Sequence, residues 1–148
     1  MEKIIISSSY EETLEIGKKL ATSLPSGSVI ALYGDLGVGK TALVKGVATG
    51  LNIKENVLSP TFNIMKLYLK GDRPLVHIDA YRLDEVNTDI GLDEFIGIEN
   101  GLTMIEWPMY IIDLLPENTI SITLTRLDEN KRELKFVGND LSFLGDNL

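Results

Sequence analysis

Gly34-Asp35-Leu36-Gly37-Val38-Gly39-Lys40-Thr41 is the stretch that decides the fold, because it fits the phosphate-loop pattern G-x-x-x-x-G-K-[ST]. Glycines in such a loop let backbone N–H groups turn inward and surround phosphate oxygens. Lys40 adds a positive charge at the β- and γ-phosphates, and the Thr41 hydroxyl can complete the coordination shell of Mg²⁺. The loop therefore predicts binding of a nucleoside triphosphate with Mg²⁺. The residues expected to hold the nucleotide are Gly37, Val38, Gly39, Lys40, Thr41 and Ala42.

The segments on either side of the loop agree with this prediction. Residues 29–33 form a short, partly β-branched apolar run that is typical of a buried parallel strand. From Lys40 to Leu51 the apolar residues recur at helical spacing, and Gly50 lies where a helix would end. The free N–H groups and the dipole at the start of this helix favour an anion. The alternative is a glycine-rich turn with a chance lysine, which does not require either flanking element.

Length and composition predict one phosphate-loop ATPase domain over residues 1–148. Hydrophobic residues make up 44% of the chain, enough for a core, and no apolar run approaches the roughly 20 residues of a membrane span. The acidic N-terminal segment does not resemble a signal peptide, and there is no cysteine for a disulfide or a thiolate metal site. We therefore expect a cytoplasmic protein that does not bind membranes.

The charge balance bears on the kind of partner. The chain has 14 Lys plus Arg against 22 Asp plus Glu, which gives a formal net charge of −8 at pH 7. An acidic surface repels the phosphate backbone of nucleic acids, so we expect little direct nucleic-acid binding. Any RNA that takes part in the function is expected to be held by another protein.

The order of the elements predicts the fold class. A strand at residues 3–7 and a helix capped by Ser9 precede the phosphate-loop strand. The inward face of that first helix is predicted to consist of Tyr10, Leu14, Gly17, Ala21 and Leu24. Further strands are predicted at residues 64–69, 75–79, 102–105, 119–127 and 132–137, with short helices at best over 81–98. This order indicates an α/β protein with a three-layer phosphate-loop NTPase fold, whose mixed sheet includes antiparallel additions.

Two carboxylates are candidates for the metal and the hydrolytic step. Asp79 and Glu106 each follow an apolar strand that cannot itself solvate a charge. In α/β proteins ligands collect at the C-terminal ends of such strands, so both side chains are expected near the phosphate loop. The alternative is that each acid only caps its strand end or pairs with an arginine such as Arg82.

Three other residues carry weaker signals. Thr61 lies on a proline-containing loop, and its hydroxyl either senses the γ-phosphate or bonds its own backbone in a turn. Trp107, the only tryptophan, is expected to be a core or rim side chain. His77, the only histidine, alternates with apolar residues, which predicts a structural histidine with its hydrogen bonds satisfied.

Several motifs occur together in the order typical of one protein family. They are the loop at residues 33–41, Ser59-Pro60-Thr61-Phe62, His77-Ile78-Asp79-Ala80-Tyr81-Arg82-Leu83, Ile105-Glu106-Trp107-Pro108 and Leu114-Leu115-Pro116. Over residues 28–116 the chain thus resembles the TsaE-type bacterial ATPases of tRNA threonylcarbamoyladenosine biosynthesis.

The resemblance implies a small cytoplasmic ATPase that is weakly active alone and uses ATP and Mg²⁺. It implies work with TsaB and TsaD, which transfer the threonylcarbamoyl group to the adenosine next to the tRNA anticodon. It further implies that Thr41 and Glu106 bind Mg²⁺, that Asp79 is required for hydrolysis together with Lys40, and that Thr61 belongs to a switch-like loop. Arg132 resembles a family position near the nucleotide base.

Two other functions use the same loop. A small-molecule or nucleotide kinase would need an acceptor pocket and an arginine-rich lid, but the chain's arginines, at positions 73, 82, 126 and 132, form no cluster in the sequence. A nucleotide-dependent switch would bind ATP without hydrolysing it.

Overall fold

In the computed structural model, the described residues 1–60, 63–84 and 91–145 build a seven-stranded sheet with two α-helices. The strands are β1 (Glu2–Ser7), β2 (Val29–Tyr33), β3 (Met65–Tyr68), β4 (Leu75–Asp79), β5 (Leu102–Glu106), β6 (Ile120–Arg126) and β7 (Arg132–Val137). The α-helices are α1 (Tyr10–Ser23) and α2 (Lys40–Gly50), and the 3₁₀ segments are Tyr81–Asp84, Leu92–Glu94, Pro108–Leu114 and Ser142–Leu144.

The sheet combines a parallel centre with antiparallel edges. Its strand order is β1-β7-β6-β2-β5-β4-β3, in which β6, β2, β5 and β4 are parallel neighbours. The β1–β7, β7–β6 and β3–β4 pairs are antiparallel. The predicted mixed sheet with antiparallel additions is confirmed.

The two faces of the sheet have different covers because side chains alternate along each strand. Ile30, Leu32, Leu102 and Met104 belong to one buried cluster, which also contains the apolar residues of α1 and α2. On the opposite face, the second cluster contains Val29, Val76, Ile78 and Ile105, together with residues of the 3₁₀ segments. The central strands are thus buried on both sides, as parallel strands normally are. In the part of the chain that the structure describes, no helix combines the length and the apolarity that crossing a bilayer requires.

Helix α1 begins as expected, and Gly17, Ala21 and Leu24 of its predicted inward face are buried. The Ser9 hydroxyl accepts a hydrogen bond from the Glu12 amide at 3.0 Å, so the predicted cap is confirmed. The buried residues of the helix are Thr13, Ile16, Gly17, Leu20 and Ala21. The predicted inward positions of Tyr10 and Leu14 are wrong: Tyr10 is 55% exposed and Leu14 is half-buried. The helix packs against both the sheet and α2, which rotates its buried face toward residues 13, 16 and 20.

Helices α1 and α2 run in the same direction and touch through their backbones. A Cβ atom added at Gly17 would lie 2.6 Å from the Leu43 carbonyl oxygen and 2.8 Å from the Gly46 Cα atom. One added at Gly46 would collide with the Leu14 carbonyl oxygen. Glycine is therefore required at this crossing for steric reasons, and the crossing fixes where α2 lies on the sheet.

Replacing Gly46 by alanine should lower the free energy of unfolding by about 1–3 kcal/mol, because the added methyl group overpacks the helix contact. In an open helix the same substitution would stabilise by about 1 kcal/mol. Urea unfolding measures the difference, with Thr49→Ala on the exposed side of α2 as the control. An unchanged or raised midpoint in Gly46→Ala would refute the close approach of the helices.

Candidate functional site

A cavity of about 650 Å³ lies at the C-terminal ends of the parallel strands, between the phosphate loop and the start of α1. The predicted site residues that line it are Gly37, Val38, Gly39, Lys40, Thr41, Ala42, Asp79, Glu106 and Arg132. The structure thus brings together every predicted site residue within its described ranges. Thr61, predicted to act in catalysis, lies outside the described residues.

The phosphate loop ends in a geometry suited to an anion. Gly39 caps α2 with φ +117°, a conformation that L side chains rarely adopt. The N-cap residue Gly39 has no side chain that could bond the free N–H groups at this helix start, and the first turn of α2 contains no acidic residue. These N–H groups and the positive end of the helix dipole therefore favour an anion in the cavity.

Lys40 is the buried cation of the site. Lys40 is only 4% exposed, and its Nζ atom donates to the Gly34 carbonyl oxygen at 2.7 Å. Burial lowers the pKa of the Lys40 ammonium below its ordinary value. The carboxylates that oppose this shift are, in decreasing order of effect, those of Glu106, Asp79 and Asp35. The lysine and the acids thus share one electrostatic environment.

Asp79 and Glu106 are neighbours across the sheet. They are register partners on the parallel strands β4 and β5, and their exposures are 3% and 4%. The Asp79 carboxylate accepts hydrogen bonds from the Tyr81 amide and the Ser59 hydroxyl, both at 3.0 Å. Asp79 therefore caps the end of its strand and also lines the cavity.

The loop before β3 contacts Asp79 from both of its ends. Ser59 donates to the Asp79 carboxylate, and the Asp79 amide donates to the Ile64 carbonyl oxygen at 2.7 Å. Ile64 adopts φ +68°, which is a strained conformation for a β-branched residue. Ser59 and Ile64, on either side of the predicted switch-like loop, are thus both hydrogen-bonded to Asp79, the acid predicted to be required for hydrolysis.

Trp107 contributes directly to the cavity. Its ring lies over the Lys40 Nζ atom, 3.9 Å from the ring centroid to the nitrogen, and stands 5.0 Å from the Tyr81 ring. Its backbone has φ +56°, an uncommon conformation for a bulky residue. The indole face offers the ammonium group a favourable electrostatic contact. Trp107 thus lies at the rim of the cavity, and its ring also contacts Lys40.

His77 differs from its predicted character in one respect. It is fully buried, as expected, and its Nε2 atom lies 2.6 Å from the Glu106 Oε2 atom. Its Nδ1 atom, however, has no hydrogen-bond partner among the described residues. The expectation of a fully satisfied structural histidine was wrong, because one of its nitrogens is directed to a candidate metal ligand and the other is left unpaired.

Arg132 ties the turn between β6 and β7 to the phosphate loop. Its Nε atom donates to the Val38 carbonyl oxygen at 2.9 Å, and its Nη1 atom donates to the carbonyl oxygens of Asp128, Glu129 and Lys131 at 3.0–3.2 Å. The guanidinium group therefore holds the loop from the side of the cavity. This position is compatible with the place near the nucleotide that the resemblance implied.

Sequence reasoning missed several other lining residues: Ser9, Tyr10, Thr13, Ser59, Tyr81, Glu129 and Asn130. A usable signal existed for the first three. Because the chain order is strand, helix, strand, helix, two helices on one face of a parallel sheet begin at the same edge. The start of α1 thus had to lie beside the start of α2. Glu129 and Asn130 lie on a turn whose position depends on the pairing of β6 with β2, which has no local signal.

The oxygen donors of the cavity fit a magnesium ion shared with phosphates. Thr41 and Glu106 line the cavity together, with Asp79 beside Glu106. Within the described ranges no group of three or more metal-binding side chains occurs. Mg²⁺ commonly binds one or two protein ligands and takes its other ligands from phosphates and water. A small set of protein oxygen donors is therefore what a Mg²⁺ site of this kind needs.

The fold and the arrangement of the cavity define a protein with a phosphate-loop NTPase-like architecture. The sequence model of the family described as threonylcarbamoyl adenosine biosynthesis protein TsaE matches residues 7–134, and the chain belongs to this family.

Individual relatives agree with this assignment. A tRNA threonylcarbamoyladenosine biosynthesis protein TsaE from Bacillus subtilis is 41% identical over 140 residues, covering 93% of this chain and 88% of the relative. A protein of the same name from Nostoc sp. is 41% identical over 138 residues, covering 90% and 83%. The crystal structure of Bacillus subtilis YdiB is similar with a TM-score of 0.82 and 33% identity, covering 97% of this chain and 90% of that one.

Replacing Arg132 by lysine should loosen the phosphate loop. A lysine cannot reproduce the hydrogen bonds of the guanidinium group. A charge-assisted hydrogen bond contributes about 1.5 kcal/mol, so its loss should make local opening of the phosphate loop about tenfold more frequent. Hydrogen exchange, read on a peptide that covers residues 34–41, should accelerate by that factor. The control is Arg126→Lys, an exposed position at the end of β6. Equal exchange in the two variants would show that Arg132 does not restrain the loop.

Proposed function

We propose that this protein is a Mg²⁺-dependent ATPase that serves threonylcarbamoyladenosine biosynthesis in tRNA, weakly active alone and stimulated by TsaB- and TsaD-type partners. The observation that carries the proposal is the convergence of the phosphate loop, the buried Lys40 and the Asp79–Glu106 pair on one cavity. The names of the relatives supply the pathway, since both carry the designation tRNA threonylcarbamoyladenosine biosynthesis protein.

The triphosphate binds at the start of α2 in this proposal. Backbone N–H groups of the loop donate to phosphate oxygens, and the first turn of α2 contains no acidic side chain that would compete for them. Lys40 exchanges its bond to the Gly34 carbonyl oxygen for one to the phosphates. The ammonium is held close by the Trp107 ring, so little reorganisation is needed.

Thr41 and Glu106 would hold the metal in this proposal. When bound, Mg²⁺ neutralises charge that develops on the phosphates during transfer. Asp79 orients the attacking water and accepts its proton, and the Ser59 and Tyr81 hydrogen bonds keep its carboxylate directed. Burial of these groups strengthens each electrostatic contact relative to bulk water.

The partners bring the RNA to the reaction. With a net charge of −8 the chain is poorly suited to bind tRNA itself, so its contribution is the ATP cycle. A kinase with an arginine-rich lid is less well supported. Arg73 donates to the Ala21 and Leu24 carbonyl oxygens at the end of α1, and Arg132 is engaged by carbonyl oxygens.

Replacing Lys40 by alanine should weaken ATP binding by about 10–100-fold, because charge-assisted hydrogen bonds contribute about 1.5–3 kcal/mol each. Calorimetry with Mg-ATP measures this loss. The matched control is Lys45→Ala, one turn further along α2, which does not line the cavity and should bind as tightly as the unchanged protein. Equal affinity in the two variants would refute the proposed site.

Replacing Asp79 by asparagine should preserve ATP affinity within about threefold but lower partner-stimulated turnover by about 100-fold or more, the usual contribution of a proton-accepting group. Asparagine retains an oxygen that can accept from the Tyr81 amide, so the fold should persist. Phosphate release is measured with and without the TsaB and TsaD partners.

Asp93→Asn, an exposed position with the same chemical change, is the control for that experiment. Turnover of the unchanged protein that does not rise with the partners would contradict the assembly role. ATP binding without any turnover would favour a non-hydrolysing switch. Full activity of Asp79→Asn would remove Asp79 from the mechanism.

A further inference from the structure

His77 reaches a candidate metal ligand from a buried position two residues before Asp79. The register pairs His77 with Met104 and Asp79 with Glu106. His77 and Glu106 are therefore diagonal neighbours on the same face of two parallel strands, close enough for long side chains to meet. Their side chains are 0% and 5% exposed, and 2.6 Å separates Nε2 of the histidine from Oε2 of the glutamate.

A fully buried imidazole needs a reason for its presence at this place. Its register partners are the buried Met104 on β5 and the exposed Lys66 on β3, and Leu75, Val76 and Ile78 beside it in β4 are buried. An apolar side chain could pack at this buried position without any polar group to satisfy. Burying a polar ring costs free energy unless it is hydrogen-bonded, and here only one of the two ring nitrogens finds a partner in the described part of the chain. That one partner is Glu106.

We propose that His77 is a positioning residue: its Nε2–H donates to Glu106 Oε2 and fixes the orientation of the carboxylate that would bind Mg²⁺. This inference rests on the proposed function. A carboxylate oxygen can only accept, so the proposal places the hydrogen of this short contact on Nε2 of the imidazole. With the proton on Nε2, the unpaired Nδ1 is an acceptor, which avoids burying an N–H group without a partner.

The role has a physical basis in how metal ligands are held. Outer hydrogen bonds fix the rotamer of a ligating group, and their loss typically lowers metal affinity by about 10–100-fold. Glu106 is the last residue of β5, and Trp107 after it leaves the strand with φ +56°, so a restraint on the Glu106 side chain must come from a neighbouring element. A donor from the adjacent strand β4 supplies that restraint before any metal arrives.

The hydrogen bond can be tested on the unmodified, nucleotide-free protein. His77 is the only histidine, so its ring nitrogens give a single set of signals in a long-range ¹H–¹⁵N NMR spectrum. The proposal expects a proton on Nε2. A ring protonated on Nδ1 alone would overturn it, because Nε2 could then only accept. This measurement depends on neither a variant nor a bound ligand.

Two variants then separate positioning from packing. His77→Gln places an amide nitrogen near the position of Nε2, whereas His77→Asn carries the same amide one methylene short of Glu106. Free Mn²⁺, followed by electron paramagnetic resonance in the presence of saturating ADP, reports metal affinity. We expect about 10–100-fold weaker Mn²⁺ binding in His77→Asn and recovery to within about threefold in His77→Gln.

ADP affinity measured without metal should be the same in both variants and in the unchanged protein. Equal Mn²⁺ affinity in all three proteins would overturn the proposal. So would a loss of metal-free ADP binding in His77→Asn as large as its loss of Mn²⁺ binding, because it would indicate general damage to the cavity. An unchanged protein that binds no nucleotide would instead contradict the proposed function. The NMR result would still decide the hydrogen bond in that case.

Discussion

Parallel pairing of three buried strands, β2, β5 and β4, is the constraint on which the candidate site depends. The register aligns Leu32 with Glu106 and Glu106 with Asp79, so the phosphate loop and both acids leave the sheet at one edge. A slip of one residue in either pair would turn an acid to the opposite face of the sheet. Because these strands are buried on both faces, their apolar side chains specify the register strongly and thereby place the charges.

The same constraint explains why charged groups are tolerated in so apolar a setting. Lys40, Asp79 and Glu106 are each less than 5% exposed, and each would be costly to bury alone. Gathered at one cavity, they offset one another, with Gly34, Ser59, Tyr81 and His77 supplying hydrogen bonds from the surrounding elements. Substituting one member would leave the others uncompensated, so the cluster behaves as a unit.

Much of this arrangement follows from local sequence signals. The phosphate-loop pattern predicted the loop and α2, and the position of each acid after an apolar run predicted that both would lie near it. The contacts of His77 and Trp107 were not predicted, since they depend on a diagonal approach between strands and on an uncommon backbone conformation. Tyr10 was assigned to the wrong face because α1 contacts two surfaces, and helical periodicity describes only one.

The backbone contact between α1 and α2 has a consequence for how this protein can change over evolutionary time. With no side chain between the helices at Gly17 and Gly46, their separation is set by main-chain atoms alone. Residues at the start of α1, such as Ser9 and Tyr10, form the far wall of the cavity. That wall can thus accept new side chains without shifting toward or away from the phosphate loop. Side chains on the cavity side of α1 can be exchanged in this way, whereas a Cβ atom at either glycine would meet backbone atoms of the other helix.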